Sequence, residues 1–434
     1  MLATAAAAIV LLFVGGTVNA WGAVVALPVI VAVTVPALSR QAEREGKPAL
    51  FVLLVAALFL KLLGSIVRHF VAFTVYGGVA DAAGYHDWGV RIAERFHDGD
   101  FSTGLASLTG TNFVRFLTGV VYTVIGPSQL GGFLVYSWLV FLGMFFFYRA
   151  FMIAVPEGRS WPYAKLVFFL PSLLYWPSSI GKEAWMMFAL GVGAFGAARL
   201  LTGRHLRALV PLVVGLWLAA LVRPHVAGMM ALAVAIAYLV RQPDRERRLA
   251  PFAKVVVLSL LVLGATVLVV RTDRFLTSKD YETSDVASVL EGVSERTQQG
   301  GSQFAPSIFE SPLRAPVAGV TVLYRPLLVD AHNAQSLVSG IEGTFLLMLS
   351  LFRIRWIFAA LGSFRRQPYV AFAIAYAAMF VVAFSSIANF GLLARERVQL
   401  LPLFLILLVI PPPDFRGPDD EAPASEDRLA EVGV

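Results

Sequence analysis

The side chains of this sequence that can move a proton or hold an anion sit where long apolar runs give way to short polar ones. Asp81, Tyr85 and His86 open the stretch DAAGYHDWGVRIAERFHDGDF, residues 81–101, directly after an apolar run. Asp81 has two readings: a helix cap favoured by the macrodipole, or a carboxylate base at the boundary of water and lipid. Lys182 and Glu183 in SSIGKEAW begin another apolar run, where they pair, cap the helix or face a site. Arg223 and His225 flank Pro224 in VRPHVAG. The histidine reads as a polar corner residue, whereas a guanidinium stays charged and grips phosphate with two parallel bonds. The second half adds YRPLLVDAHNAQSLVSGIEG, with Arg325, His332 and Glu342, and NFGLLARERVQLLP, with Arg395 and Arg397. An acid inside an apolar run, as at Glu342, is expensive unless it has a partner or a function. Arg395 and Arg397 read as snorkelling residues or as a clamp on a lipid phosphate; two positions apart on a helix, they point to different sides. These residue types suit a transfer reaction: a carboxylate or imidazole takes the proton of a hydroxyl, and cations hold a departing phosphate.

The elements that must position them are apolar helices. Of 434 residues, 58% are hydrophobic and only 15% charged, against roughly 45–50% apolar in soluble domains. Mean hydropathy is +0.74. Many runs approach the ~20 residues that cross a bilayer. The expected fold is all-α, a polytopic membrane protein with about twelve transmembrane helices near 2–18, 22–38, 48–70, 129–150, 164–178, 183–201, 208–223, 226–240, 253–271, 336–353, 368–388 and 398–412. The opening MLATAAAAIVLLFVGG lacks the positive residues that precede a signal peptide's apolar core and is expected to be the first span. A single membrane domain covers 1–412, and an acidic tail, 413–434, is expected to be disordered.

Charge sets the orientation. More than half of the 35 lysines and arginines fall in one set of short connections, around Arg40–Lys47, Arg149–Lys165, Arg199–Arg207, Arg241–Lys254 and Arg353–Arg366, and in the tail, so that side is cytoplasmic and both termini lie there. The formal charge of +7 is spread between apolar runs rather than gathered in one patch, which argues for membrane topology and against a nucleic-acid partner. The outer face then carries loops at about 78–128 and 272–335 and the corners at Lys182, Arg223 and Arg395. In the first outer loop, Tyr85, Trp88, Ile92 and Phe96 recur at helical spacing, which predicts a helix lying on the membrane surface. Residues 113–126, too short to cross, are expected to form a second interfacial or re-entrant helix. In the second loop, SDVASVLEGVSERT is an amphipathic patch followed by Gly300-Gly301, which reads either as a hinge or as part of a long flexible outer loop. There is no cysteine, hence no thiolate metal site or cysteine nucleophile. No GxxxxGK[ST] loop and no GxGxxG after a strand is present.

Asp81, Tyr85, the helix after them and Gly99-Asp100-Phe101, with the corner and span VVYTVIGPSQLGGFLVYSWLVFLGMFFFYRA and then LPSLLYWPSSIGKEAWMMFALG, resemble the first half of GT-C glycosyltransferases such as protein mannosyltransferases and the bacterial lipid A aminoarabinose transferase. The resemblance implies transfer of a sugar from a polyprenyl-phosphate donor to a glycan or lipid acceptor at the outer face of the plasma membrane. Asp81 then matches the catalytic base and Glu183 the acid of the second outer corner. Ala82 stands where the family often has a second acid, so a divalent metal is neither indicated nor excluded and no metal ligand is assigned. The second half resembles O-antigen polymerases and ligases in residue type and topology. That version implies arginines on a polyprenyl diphosphate and His332 as the base. A transporter or flippase is the alternative from another class; matched halves with corresponding motifs, as in many transporters, are not found.

Overall fold

In this computed structural model the described residues are 18–78, 81–156, 158–203, 209–241, 315–331, 334–385, 387 and 389–415. Among them the chain is helical and forms no sheet. The helices, numbered over these residues, are α1 Val18–Glu45, α2 Pro48–Phe70 with a π-helical turn Val71–Val75, α3 Asp81–His97, α4 Thr111–Ile125 and α5 Gln129–Ala154. They continue with α6 Ser160–Phe169, α7 Pro171–Tyr175, α8 Lys182–Leu201, α9 Leu209–Val222, α10 Pro224–Val240, α11 Ala315–Tyr324 and α12 Ala334–Phe352. The last are α13 Ile354–Ser363, α14 Pro368–Phe384, α15 Phe390–Arg397 and α16 Leu401–Phe404.

Among the described residues, five helices are long and apolar enough to cross a membrane: Trp21–Glu45, Pro48–Val75, Gln129–Ala154, Lys182–Leu201 and Gln335–Phe352; a sixth span arises if α13 and α14, bent by 114° at their junction, count as one. Several of the twelve expected spans take another form. The run 164–178 is two short helices, because Pro171 offers no N–H to continue α6 and pushes Leu170 into extended backbone (φ −64°, ψ 126°). The run 398–412 is the four-residue α16 followed by a 3-10 turn, Leu405–Leu408, ending before Pro411; Leu400, Leu401 and Leu403 to Ile410 are all buried. The stretches 208–223 and 226–240 form helices of 14 and 17 residues. The expected spans 2–18 and 253–271, the loop patch at 284–301, His332 and residues 416–434 lie outside the described residues. The two helices expected in the first outer loop are present as α3 and α4, packed on each other. Ala82, Tyr85, Gly89, Ile92 and Ala93 make the buried face of α3. Trp88 and Phe96 of the expected stripe are only half-buried.

The core is built on α5 and α8. α5 is apolar all round and buries residues on every side, as a central helix must. Its contact with α8 is backbone to backbone: a Cβ at Gly191 would come within 2.3 Å of Gly143 O, and one at Gly143 within 2.3 Å of Met187 O. α8 repeats the device on its other side, where Gly193 and Gly196 meet Gly215 and Leu212 of α9. In lipid, where apolar burial alone does not drive helices together, such close approach supplies the packing energy. Gly191→Ala is therefore expected to destabilise the protein by about 1–3 kcal/mol. Gly319→Ala, with no atom within 4 Å of the new Cβ, should be near neutral. Thermal unfolding in detergent compares the two, and equal midpoints would contradict this packing.

Candidate functional site: an ion network at one end of the bundle

The tight α5–α8–α9 core fixes the start of α8. Glu183 lies in its first turn, where a carboxylate is favoured by the helix dipole. Arg223 occupies the single residue between α9 and α10; the following Pro224 holds it in extended backbone (φ −138°, ψ 82°), which breaks the helix there. Asn389 caps α15, accepting from the N–H groups of Gly391 (2.9 Å) and Leu392 (3.1 Å). Arg395 and Glu396 follow in the last turn of that helix. Asp81 is the first residue of α3.

Asp81, Glu183, Arg223, Arg395 and Glu396 form one connected network. Arg223 Nη2 donates to Glu183 Oε1 at 2.9 Å and to Glu396 Oε1 at 2.7 Å. Its Nη1 donates to Glu396 Oε2. Arg395 Nη2 donates to Glu183 Oε2 at 2.9 Å, and its Nη1 to Asp81 Oδ2 at 2.9 Å. Gln399, fully buried, donates to Glu396 Oε2 at 2.7 Å. Glu183 thus accepts from two arginines and Arg223 spans two carboxylates. Burial is graded: Glu183 is 2% exposed, Arg223 12%, Arg395 23% and Asp81 63%. Asp81 is the network's open end, and its Oδ1 has no protein partner among the described residues. The fields of Glu183 and Asp81 hold the Arg395 guanidinium more firmly protonated than a free one.

Tyr85, one turn after Asp81, lies in the field of the same charges; burial first, then Glu183 and Asp81, pushes its phenol up to about 12. It is neutral at physiological pH, a donor or acceptor rather than a base. Activity should therefore show no alkaline limb from this group below its pKa, and Tyr85→Phe should leave the shape of the pH profile unchanged. A limb abolished by that substitution would contradict the assignment.

Of the other expected site residues, two adjoin this network and the rest lie apart from it. Lys182 and His225 sit at the same corner, the charges of Lys182 and Arg223 both bearing on the imidazole. His86 turns to α4, with Nδ1 at 2.8 Å from Tyr122 Oη, and its burial depresses its pKa. Arg325 pairs with Asp330 through Nε (2.9 Å) and Nη2, and stacks 4.5 Å over the Phe390 ring. Arg397 leaves α15 on another side from Arg395, as the two-residue spacing requires. It is fully buried and donates through Nη1 to the carbonyls of Leu323 and Arg325, both at 3.0 Å. Glu342, 3% exposed, accepts from the Ser172 N–H that opens α7 and lies in the field of Arg397. Arg325, Glu342 and Arg397 thus organise the far side of α15. A cavity of about 320 Å³ between α6, α7 and α12, lined by Lys165, Pro171, Ile341, Glu342 and Phe345, belongs to that side; none of its lining residues is in the network.

Glu396 and Gln399 are the members that sequence reasoning passes over. An acid in the last turn of a helix opposes the dipole, and its place between the arginines of ARER was the available signal that something else holds it. Among the described residues there is no group of three or more metal-capable side chains positioned to hold an ion. No family model matches the chain, and neither a curated protein nor a solved structure matches it.

Proposed function

We propose that the chain is a polytopic membrane glycosyltransferase of GT-C-like architecture, with about twelve spans and both termini cytoplasmic. It would move a sugar from a polyprenyl-phosphate donor to a hydroxyl of a glycan or lipid acceptor at the outer face of the plasma membrane. The observation that carries this reading is the convergence of Asp81, Glu183, Arg223, Arg395 and Glu396, from four separate segments, into a network whose one open carboxylate is Asp81. The distribution of lysine and arginine supports an outer position for each of the four segments.

In this mechanism Asp81 Oδ1 accepts the proton of the acceptor hydroxyl while Arg395 holds Oδ2. The hydroxyl oxygen forms a bond to the anomeric carbon. The bond from that carbon to the donor's phosphate oxygen breaks, and its electron pair leaves with the lipid phosphate. Glu183 holds Arg395 in place from the buried side. The experiment is transfer of a radiolabelled sugar from a polyprenyl-phosphate donor to an acceptor by the purified protein in proteoliposomes; label that stays on the donor with every acceptor class offered would remove the reading.

The orientation has its own test, for which a cysteine-free chain is a convenient host. Asp100→Cys, on an exposed turn after α3, is expected to react with a membrane-impermeant maleimide in intact cells. Glu246→Cys, in the basic connection, is expected to react only after permeabilisation. External labelling at 246 would invert the topology.

A further inference from the structure

Every arginine of the ion network already has carboxylates on it, and Arg325 has Asp330, so a departing phosphate needs a cation from elsewhere. Arg68, near the outer end of α2, meets the requirement. It makes no ion pair among the described residues; its Nη1 donates to Tyr175 Oη at 2.9 Å, and its Nε is buried without a partner. The guanidinium lies 4.8 Å from the Tyr175 ring centroid and 5.2 Å from that of Trp176. These two rings fix its plane while leaving donors to spare.

The position is built rather than incidental. α7 reaches α2 because Gly64 has no side chain; a Cβ there would stand 2.6 Å from Leu174 O. Buried Lys61, on the same face two turns earlier, donates to Leu173 O at 2.7 Å and secures the segment that carries Tyr175. Ser65, between Lys61 and Arg68 on that face, is fully buried with its hydroxyl unpartnered. Arg68 is itself half-buried, so part of its side chain is open to a group carried by a lipid, and Ile66, Val67 and Phe70 on the other side of α2 are exposed apolar residues. Along the chain, Trp176 is only six residues before Lys182 and seven before Glu183 of the network.

We propose that Arg68, on its Tyr175–Trp176 shelf, binds the phosphate of the prenyl-phosphate donor, an assignment that rests on the glycosyl-transfer reading above. A planar guanidinium whose Nη2 is uncommitted among the described residues suits a phosphate better than a bare point charge would. Ordinary glycerophospholipid headgroups carry the same chemistry and are the other source of such a ligand.

The test measures binding of a short prenyl phosphate, and of the prenol of equal length, to the protein in phosphatidylcholine nanodiscs. Arg68→Gln is expected to weaken the phosphate about 10- to 100-fold, the loss of charge-assisted bonds, and to leave the prenol unchanged. Tyr175→Phe, which keeps the charge and the ring, is expected to lose much less. Arg68→Lys, a variant for use if the glutamine protein does not fold, should retain part of the affinity. Equal affinity for the phosphate in wild type and Arg68→Gln, or an equal loss for phosphate and prenol, overturns the proposal. So does displacement of the prenyl phosphate by phosphatidylglycerol at equal mole fraction, which would assign Arg68 to headgroups. Asp81→Asn should bind the prenyl phosphate normally. Arg68-dependent binding in a protein that transfers no sugar would leave this site standing and remove the glycosyl-transfer reading alone.

Discussion

Arg223→Met should unfold the protein more readily than any other substitution in the network, at a cost of about 3–5 kcal/mol, because it leaves Glu396 with no arginine and Glu183 with only Arg395. The size follows from burial: Glu183 is 2% exposed and Arg223 12%, so water cannot replace the missing guanidinium, as it does for an exposed pair worth about 0–1 kcal/mol. The loss belongs to the stranded acid and not to the pair as such. Removing both partners, in Arg223→Met with Glu396→Leu, should recover much of the stability, since a buried ion pair and an apolar replacement are often nearly equivalent. Thermal unfolding in detergent of the two single variants and the double variant gives the coupling. A strictly additive double variant would mean that Arg223 and Glu396 do not share a buried site.

The same network marks how far the sequence could be read. The helical class of the chain, the helices at Asp81–His97 and Thr111–Ile125 and the apolar cores of α5 and α8 follow from period, length and composition, which are local properties. Asp81, Glu183, Arg223 and Arg395 were each visible as costly charges at the ends of apolar runs. The expected topology put them at one face, but which of them touch was not legible from spacing, because positions 81 and 395 are joined only by how α3, α8, α10 and α15 pack. Arg325 looked equivalent to Arg223 by residue type, but Asp330, five residues on, takes its fork. Glu396 was hidden between two arginines that drew the attention. The broken run at Leu170-Pro171 and the buried turn at Leu405–Leu408 show that an apolar run need not form one unbroken helix: a run apolar enough for lipid is equally suited to the interior of a bundle.

Asp81→Asn is the second large effect, and it lies in rate rather than stability. The asparagine keeps an oxygen for Arg395 and a similar shape but cannot take a proton, so transfer should fall on the order of 10²- to 10⁴-fold. At 63% exposure Asp81 contributes little to packing, and if it acted only as a cap its replacement would cost about 1 kcal/mol of stability with no loss of rate. His332→Ala discriminates the two enzyme mechanisms. With Asp81 as the base it should change the rate little, whereas in a polymerase- or ligase-like mechanism the histidine activates the hydroxyl and the order reverses.

The measurement that bears most directly on the central claim is the single-turnover rate of sugar transfer from a saturating polyprenyl-phosphate donor, in wild type and Asp81→Asn, with donor binding measured on the same samples. The account predicts unchanged donor affinity and a rate lower by about 10²- to 10⁴-fold in the variant. Transfer at the wild-type rate by Asp81→Asn would contradict it.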